Sequence, residues 1–125
     1  MSGLETLRSI ALAFPDVSDE SDHEGPKFTV RGKVMVGPYR ARPAPKAKRV
    51  PVDGVVAIRC PMERKELLIE AAPDRFFDDD HFRGYPAVLV RLSGVDEAEL
   101  RALVEGAWRM QAPKRRVKAE RRSAP

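Results

Sequence analysis

A chain of 125 residues with 42% apolar and 34% charged residues is long enough for one hydrophobic core, too short for two, and too apolar for intrinsic disorder. Its net charge of +4 favours anionic partners without naming one, and no run nears the ~20 apolar residues of a membrane helix. A single cysteine, Cys60, excludes an internal disulfide and a thiolate-rich metal site and fits a reducing compartment, with Cys60 itself a small buried hydrophobe.

In chain order, Ser2 and Glu5 form a capping-box pattern ahead of a helix with Leu4, Leu7, Ile10, Ala11 and Phe14 on one stripe, which Pro15 ends. Asp16 to Glu24 follow as an acidic, turn-prone stretch expected to be a solvated loop. Lys27-Phe28-Thr29-Val30 and Lys33-Val34-Met35-Val36 flank Arg31-Gly32 and predict a tight β-hairpin. From Gly37 to Val52 the chain interleaves Pro38, Pro43, Pro45 and Pro51 with Arg40, Arg42, Lys46, Lys48 and Arg49, predicting an exposed basic loop outside any regular ladder.

Asp53-Gly54 then reads as a turn opening the strand Val55-Val56-Ala57-Ile58, and Pro61 starts a second helix carrying Leu67, Leu68 and Ala71 inward until Pro73. Phe76-Phe77 fill the core beneath Asp78-Asp79-Asp80, and the Gly84-Tyr85-Pro86 bend sets the start of the strand Ala87 to Leu92. The last helix has Asp96 as N-cap, Glu99 reaching back, Val95 stapling against Leu100, and Leu100, Leu103, Val104, Ala107 and Trp108 as its buried stripe up to Pro113. The order α-β-β-β-α-β-β-α predicts an α+β, two-layer fold, an antiparallel sheet with helices on one face. Residues 1–116 form the single domain, and 117–125 a basic, mobile tail.

Four segments carry a family resemblance: Ala11-Leu12-Ala13-Phe14-Pro15-Asp16-Val17, Phe28-Thr29-Val30-Arg31-Gly32-Lys33, His81-Phe82-Arg83-Gly84-Tyr85-Pro86-Ala87-Val88-Leu89-Val90-Arg91-Leu92, and Ala107-Trp108 with Ala112-Pro113-Lys114-Arg115. Together the chain, from the first helix to about Arg115, resembles the MmcQ/YjbR family. The resemblance implies a two-layer fold like that of secretion chaperones, in a family customarily labelled DNA-binding with a winged surface. The segment from Tyr39 to Arg49 is longer and more basic than the usual connection there, so the family does not vouch for its role.

The basic segment is the leading candidate site. Arg40, Arg42, Lys46, Lys48 and Arg49 on a proline-stiffened tip suit a phosphate backbone, with Tyr39 able to stack or hydrogen-bond and Lys114, Arg115 and Arg116 a second contact. The bland alternative is a charged loop that only keeps the protein soluble. His81, Arg83 and Tyr85, alternating along an extended segment, would share a face as an anion-gripping patch. Asp78, Asp79, Asp80 and His81 have metal-ligand chemistry, but the preferred reading is an Asp-capped turn with His81 packed beside Tyr85, and no metal site is assigned. No nucleophile with a base, Gly-rich phosphate loop or cofactor motif is legible, so a non-enzyme without a cofactor is expected. The N-terminal residues 1–5 also lack an export signal. The expected protein is thus cytoplasmic, without a membrane role, and contacts DNA through phosphates; the alternative is a protein-interaction module or homodimer.

Overall fold

Within residues 3–112, which the computed structural model of the chain describes, the first helix, α1 (Leu4–Leu12), buries Leu7, Ile10 and Ala11 while Leu4 is half exposed. Gly3 occupies its N-cap position without a side-chain cap bond, so the expected Ser2 capping box does not start it; Ser2 lies outside the described residues.

The acidic stretch that follows is not all loop, because it contributes β1 (Val17–Asp19), paired antiparallel with β2 (Phe28–Val30). Its acids are engaged locally: Asp19 accepts from Arg8 Nε and from the Ser21 N–H, each at 2.9 Å. The predicted hairpin joins β2 to β3 (Lys33–Ala41) through Arg31 at φ 49° and Gly32 at φ 83°. Two consecutive positive φ values match the right-handed twist of the flanking strands, which is why glycine belongs in that turn.

The largest departure from the sequence reading is that β3 continues through Pro38 to Ala41 and pairs with β4 (Val50–Arg59), leaving only residues 42–49 as a loop. Proline is excluded from a ladder only where its N–H is required. The register here jumps from Pro38↔Val56 to Arg40↔Pro51, so residues 52–55 of β4 bulge opposite Tyr39. Asp53-Gly54, expected to be a turn before the strand, lies in that bulge with Gly54 at φ 77°.

Helix α2 (Met62–Ala71) follows N-cap Pro61, and β5 (Phe76–Phe77) pairs with β6 (Ala87–Arg91). A short 3₁₀ turn (Leu92–Gly94) leads into α3 (Glu97–Gln111). The sheet is antiparallel throughout with strand order β1-β2-β3-β4-β6-β5, so the α+β, two-layer class holds with one strand, β1, more than the sequence suggested. α1 and α3 close one face over Phe28, Val30, Val36, Val56, Ile58, Val88 and Val90. Trp108, fully buried, stacks on Phe14 at 5.7 Å between ring centroids and donates Nε1–H to the Pro15 carbonyl, fastening the end of α3 to the exit of α1. On the opposite face a smaller cluster gathers Tyr39, Ala57 and Leu89, with Phe77 and Phe82 against it.

Asp96 caps α3 by accepting from the Glu99 N–H at 2.8 Å, as expected, but the Glu99 carboxylate does not reach back; it pairs with Arg75 at 3.1 Å. Asp96→Ala is expected to lower stability by about 1 kcal/mol, measured by urea unfolding followed through Trp108 fluorescence.

Candidate functional site

The site begins at a lysine inside the protein. α2 was expected to turn Leu67, Leu68 and Ala71 inward, but Leu67 is 66% exposed and Ala71 faces solvent, while Lys65 is 1% exposed. An ammonium carries three N–H donors and is stable inside only if they are met. Here Nζ donates to the carbonyls of Phe82 at 2.7 Å and Tyr85 at 2.9 Å and pairs with Asp78 Oδ1 at 3.1 Å. All three acceptors belong to the segment from Asp78 to Pro86, so Lys65 pins that segment over the sheet.

The same segment holds the base of the β3–β4 hairpin. Asp79 accepts the Tyr39 hydroxyl at 2.8 Å, accepts the Phe82 N–H at 2.9 Å and lies 3.5 Å from Arg49. Burial works against ionising Asp79, but the hydrogen bonds from Tyr39 and Phe82 together with the Arg49 charge outweigh it and hold the carboxyl below its ordinary value. The Tyr39 phenol is pushed up to about 12, first by burial and then by the adjoining carboxylate. At the hairpin neck, Arg40 Nη2 donates to the Arg49 carbonyl at 2.9 Å and Arg49 Nη1 to the Arg40 carbonyl at 2.8 Å. Pro51, opposite Arg40, has no N–H to offer, and the guanidinium supplies that donor instead.

This arrangement divides the expected nucleic-acid residues. Tyr39, 7% exposed, is buried beneath the hairpin and cannot stack on a base. Arg40 pairs with Glu24 at 3.0 Å and Arg49 with Asp79, so acids distant in sequence neutralise two cations that had looked unopposed. Arg42, Lys46 and Lys48 stay exposed on the tip with no carboxylate within 4 Å among the described residues. Lys114, Arg115 and Arg116 lie outside the described residues, as does the 117–125 tail. α3 ends where Gln111 Nε2 donates to the Val34 carbonyl, at the other end of β3 from the tip.

His81, Arg83 and Tyr85 do not form the expected patch, because the segment turns instead of running extended: Phe82 N–H and Arg83 N–H both donate to the Asp79 carbonyl. Arg83 points away and pairs with Asp80 at 2.8 Å. His81 packs edge-on against Phe82, with ring centroids 5.2 Å apart, in place of the expected contact with Tyr85. His81 and Tyr85 nevertheless line one open groove of about 510 Å³ on the helix-free face, with Val34, Gly37, Pro38, Ala57, Arg59, Phe82 and Ala87. Arg59 takes the place expected of Arg83: its Nη1 donates to the Tyr85 hydroxyl and its guanidinium lies 4.7 Å over the Tyr85 ring. Among Asp78, Asp79, Asp80 and His81, Asp79 caps the turn as expected, and no metal-holding group of three is found among the described residues.

Two residues that matter here escaped the sequence reading. Lys65 sits among helix formers with no signal of burial. Arg59 continues the Val55, Ala57, Arg59 alternation of β4, and that period of two could have placed it on the face opposite the helices.

Comparison with known proteins agrees with this architecture. The sequence model of the YjbR family matches residues 12–110. Uncharacterised proteins of Mycobacterium bovis and Mycobacterium tuberculosis are each 44% identical over 70 residues, 55% of this chain and 54% of theirs, so the chain spans about half the length of the curated relatives it matches. A crystal structure of a Deinococcus radiodurans protein, DR2400, with a DUF419 domain aligns over 98% of this chain and 87% of its own at TM-score 0.65 and 24% identity, a likeness of fold.

Replacing Lys65 by Met strands the carbonyls of Phe82 and Tyr85 and the Asp78 carboxylate, and is expected to cost about 3 kcal/mol in urea unfolding. The Tyr39–Asp79 bond gives a pH signature. The lowered Asp79 makes its stabilisation present above the ordinary carboxyl value of 3.8 and lost as pH falls through the lowered one. The raised Tyr39 makes its share present below pH 10.0 and lost as pH rises through about 12. The stability difference between the unaltered protein and Tyr39→Phe should therefore be widest at neutral pH and shrink at both ends, as read by unfolding across pH.

Proposed function

We propose a nucleic-acid-binding function for this chain, which belongs to the YjbR family. The β3–β4 hairpin acts as a wing that contacts backbone phosphates through Arg42, Lys46 and Lys48. One observation carries the reading: these three cations stand at the tip of a hairpin whose neck is locked by reciprocal Arg40 and Arg49 bonds and whose base is bonded to Asp79. Cations on a rigid, proline-rich support give up less freedom on meeting a phosphate than cations on a slack loop.

On the wing three contacts, in place of the five that its composition suggested, set the scale. Binding of this kind is sequence-independent and weak, with dissociation constants on the order of 10⁻⁴ to 10⁻⁶ M at physiological salt. Binding, not catalysis, is the role in this reading. Burial pushes the Cys60 thiol up, so the one thiol is held away from the nucleophilic form. The alternative of docking through a sheet edge has less support: β1 and β5, the edge strands, are three and two residues long. Edges that short offer a partner strand little to pair with. No helix among the described residues is long and apolar enough to cross a membrane.

Binding of a labelled mixed-sequence DNA duplex, followed by fluorescence anisotropy against salt, should give a slope near about −2.7 in log K against log salt for three phosphates. The triple variant Arg42→Ser, Lys46→Asn, Lys48→Ser should lose it; Asn suits position 46, where φ is 67°. No binding at low salt, or binding that survives the triple variant, would contradict the proposal.

A further inference from the structure

The helix-free face holds a cation that the wing does not use. Arg59 is partly buried, no carboxylate lies within 4 Å of it among the described residues, and its hydrogen bond from Nη1 goes to a neutral phenol, that of Tyr85. Its Nε is shielded from water and has no hydrogen-bond partner. Lys65, Arg75 and Arg49, by contrast, are met by acids: Lys65 by Asp78, Arg75 by Glu99, Arg49 by Asp79. The other terminal nitrogen, Nη2, has no hydrogen bond among the described residues and is not shielded as Nε is, and so is a charged donor suited to a carboxylate oxygen.

Around that guanidinium the groove is largely apolar. Gly37, Ala57 and Ala87 give a floor without bulk, Val34 and Pro38 one wall, and the rings of Phe82 and Tyr85 the other. Its volume of about 510 Å³ falls within the range of small-molecule sites. The strands beneath it, β3, β4 and β6, are interior strands of the sheet. The floor glycine is informative: Gly37 has no positive φ, and a Cβ there would meet only Val34 Cγ1 at an ordinary 3.6 Å. Its backbone does not require glycine, and what glycine leaves at position 37 is space in the groove.

We propose that this groove is a binding site for a small planar aromatic carboxylate, its ring lying on Gly37, Ala57 and Ala87 between Pro38 and the Phe82 and Tyr85 rings and its carboxylate on Arg59. The site is separate from the wing and does not rest on nucleic-acid binding. 2-Naphthoate, with neutral 2-naphthamide as its isostere, is titrated into the ¹⁵N-labelled protein and followed by NMR. The expected result is saturable shifts of the amides of Gly37, Ala57, Arg59 and Ala87 by naphthoate and weaker ones by the amide. Arg59→Met should weaken naphthoate binding about tenfold or more, the scale of a lost charge-assisted hydrogen bond. Gly37→Leu, which fills the floor while keeping Arg59, should abolish it, and the wing variant should bind as the unaltered protein does. Absence of saturable shifts, equal binding of the neutral isostere, or binding that persists in Gly37→Leu would overturn the proposal.

Discussion

The ammonium of Lys65 is the interaction on which the helix-free side of the molecule depends. Removing it from water costs several kcal/mol, which only well-placed acceptors offset. The acceptors are two carbonyls and one carboxylate of the segment between β5 and β6. That segment has little regular structure of its own, and Lys65 fixes its path. Tyr85 and Phe82 are thereby held over the groove, and Asp79 is held where Tyr39 and Arg49 can reach it.

From that anchor the charges sort themselves. The sequence is rich in both signs, and folding brings acids from the β1–β2 region and from the β5–β6 connection onto Arg40 and Arg49. Among the cations that no carboxylate meets, two groups have contrasting surroundings. Arg42, Lys46 and Lys48 are solvated at a hairpin tip, where charge acts through long-range, salt-sensitive attraction. Arg59 sits against aromatic rings in a groove, where a single matched partner counts for more because water competes less. In the proposed roles, the hairpin tip therefore suits a polyanion and the groove a small anion with an apolar body.

Much of the scaffold was legible in the sequence because its signals are local. α3 announces itself with Asp96 and a five-residue apolar stripe, and Arg31-Gly32 fixes the first hairpin by backbone preference alone. The wing was misread because proline was taken to forbid pairing, whereas a bulge at residues 52–55 lets Pro38 and Pro51 sit in paired strands. β1 was missed because three residues among acids carry almost no pattern. The partners of Tyr39, Lys65 and Arg59 could not be read from neighbours in sequence: they are Asp79, Phe82 with Tyr85 and Asp78, and Tyr85, between 13 and 40 positions away. Long-range pairing of polar groups has no period to read, and the site is made of such pairs.

The most direct test of this account is the Lys65 ammonium itself. In ¹⁵N NMR at mildly acidic pH, the account predicts a Lys65 Nζ signal whose protons exchange slowly with water and that shows couplings across hydrogen bonds to the carbonyl carbons of Phe82 and Tyr85. An ammonium exchanging as fast as those of Lys46 and Lys48, with no such couplings, would contradict it.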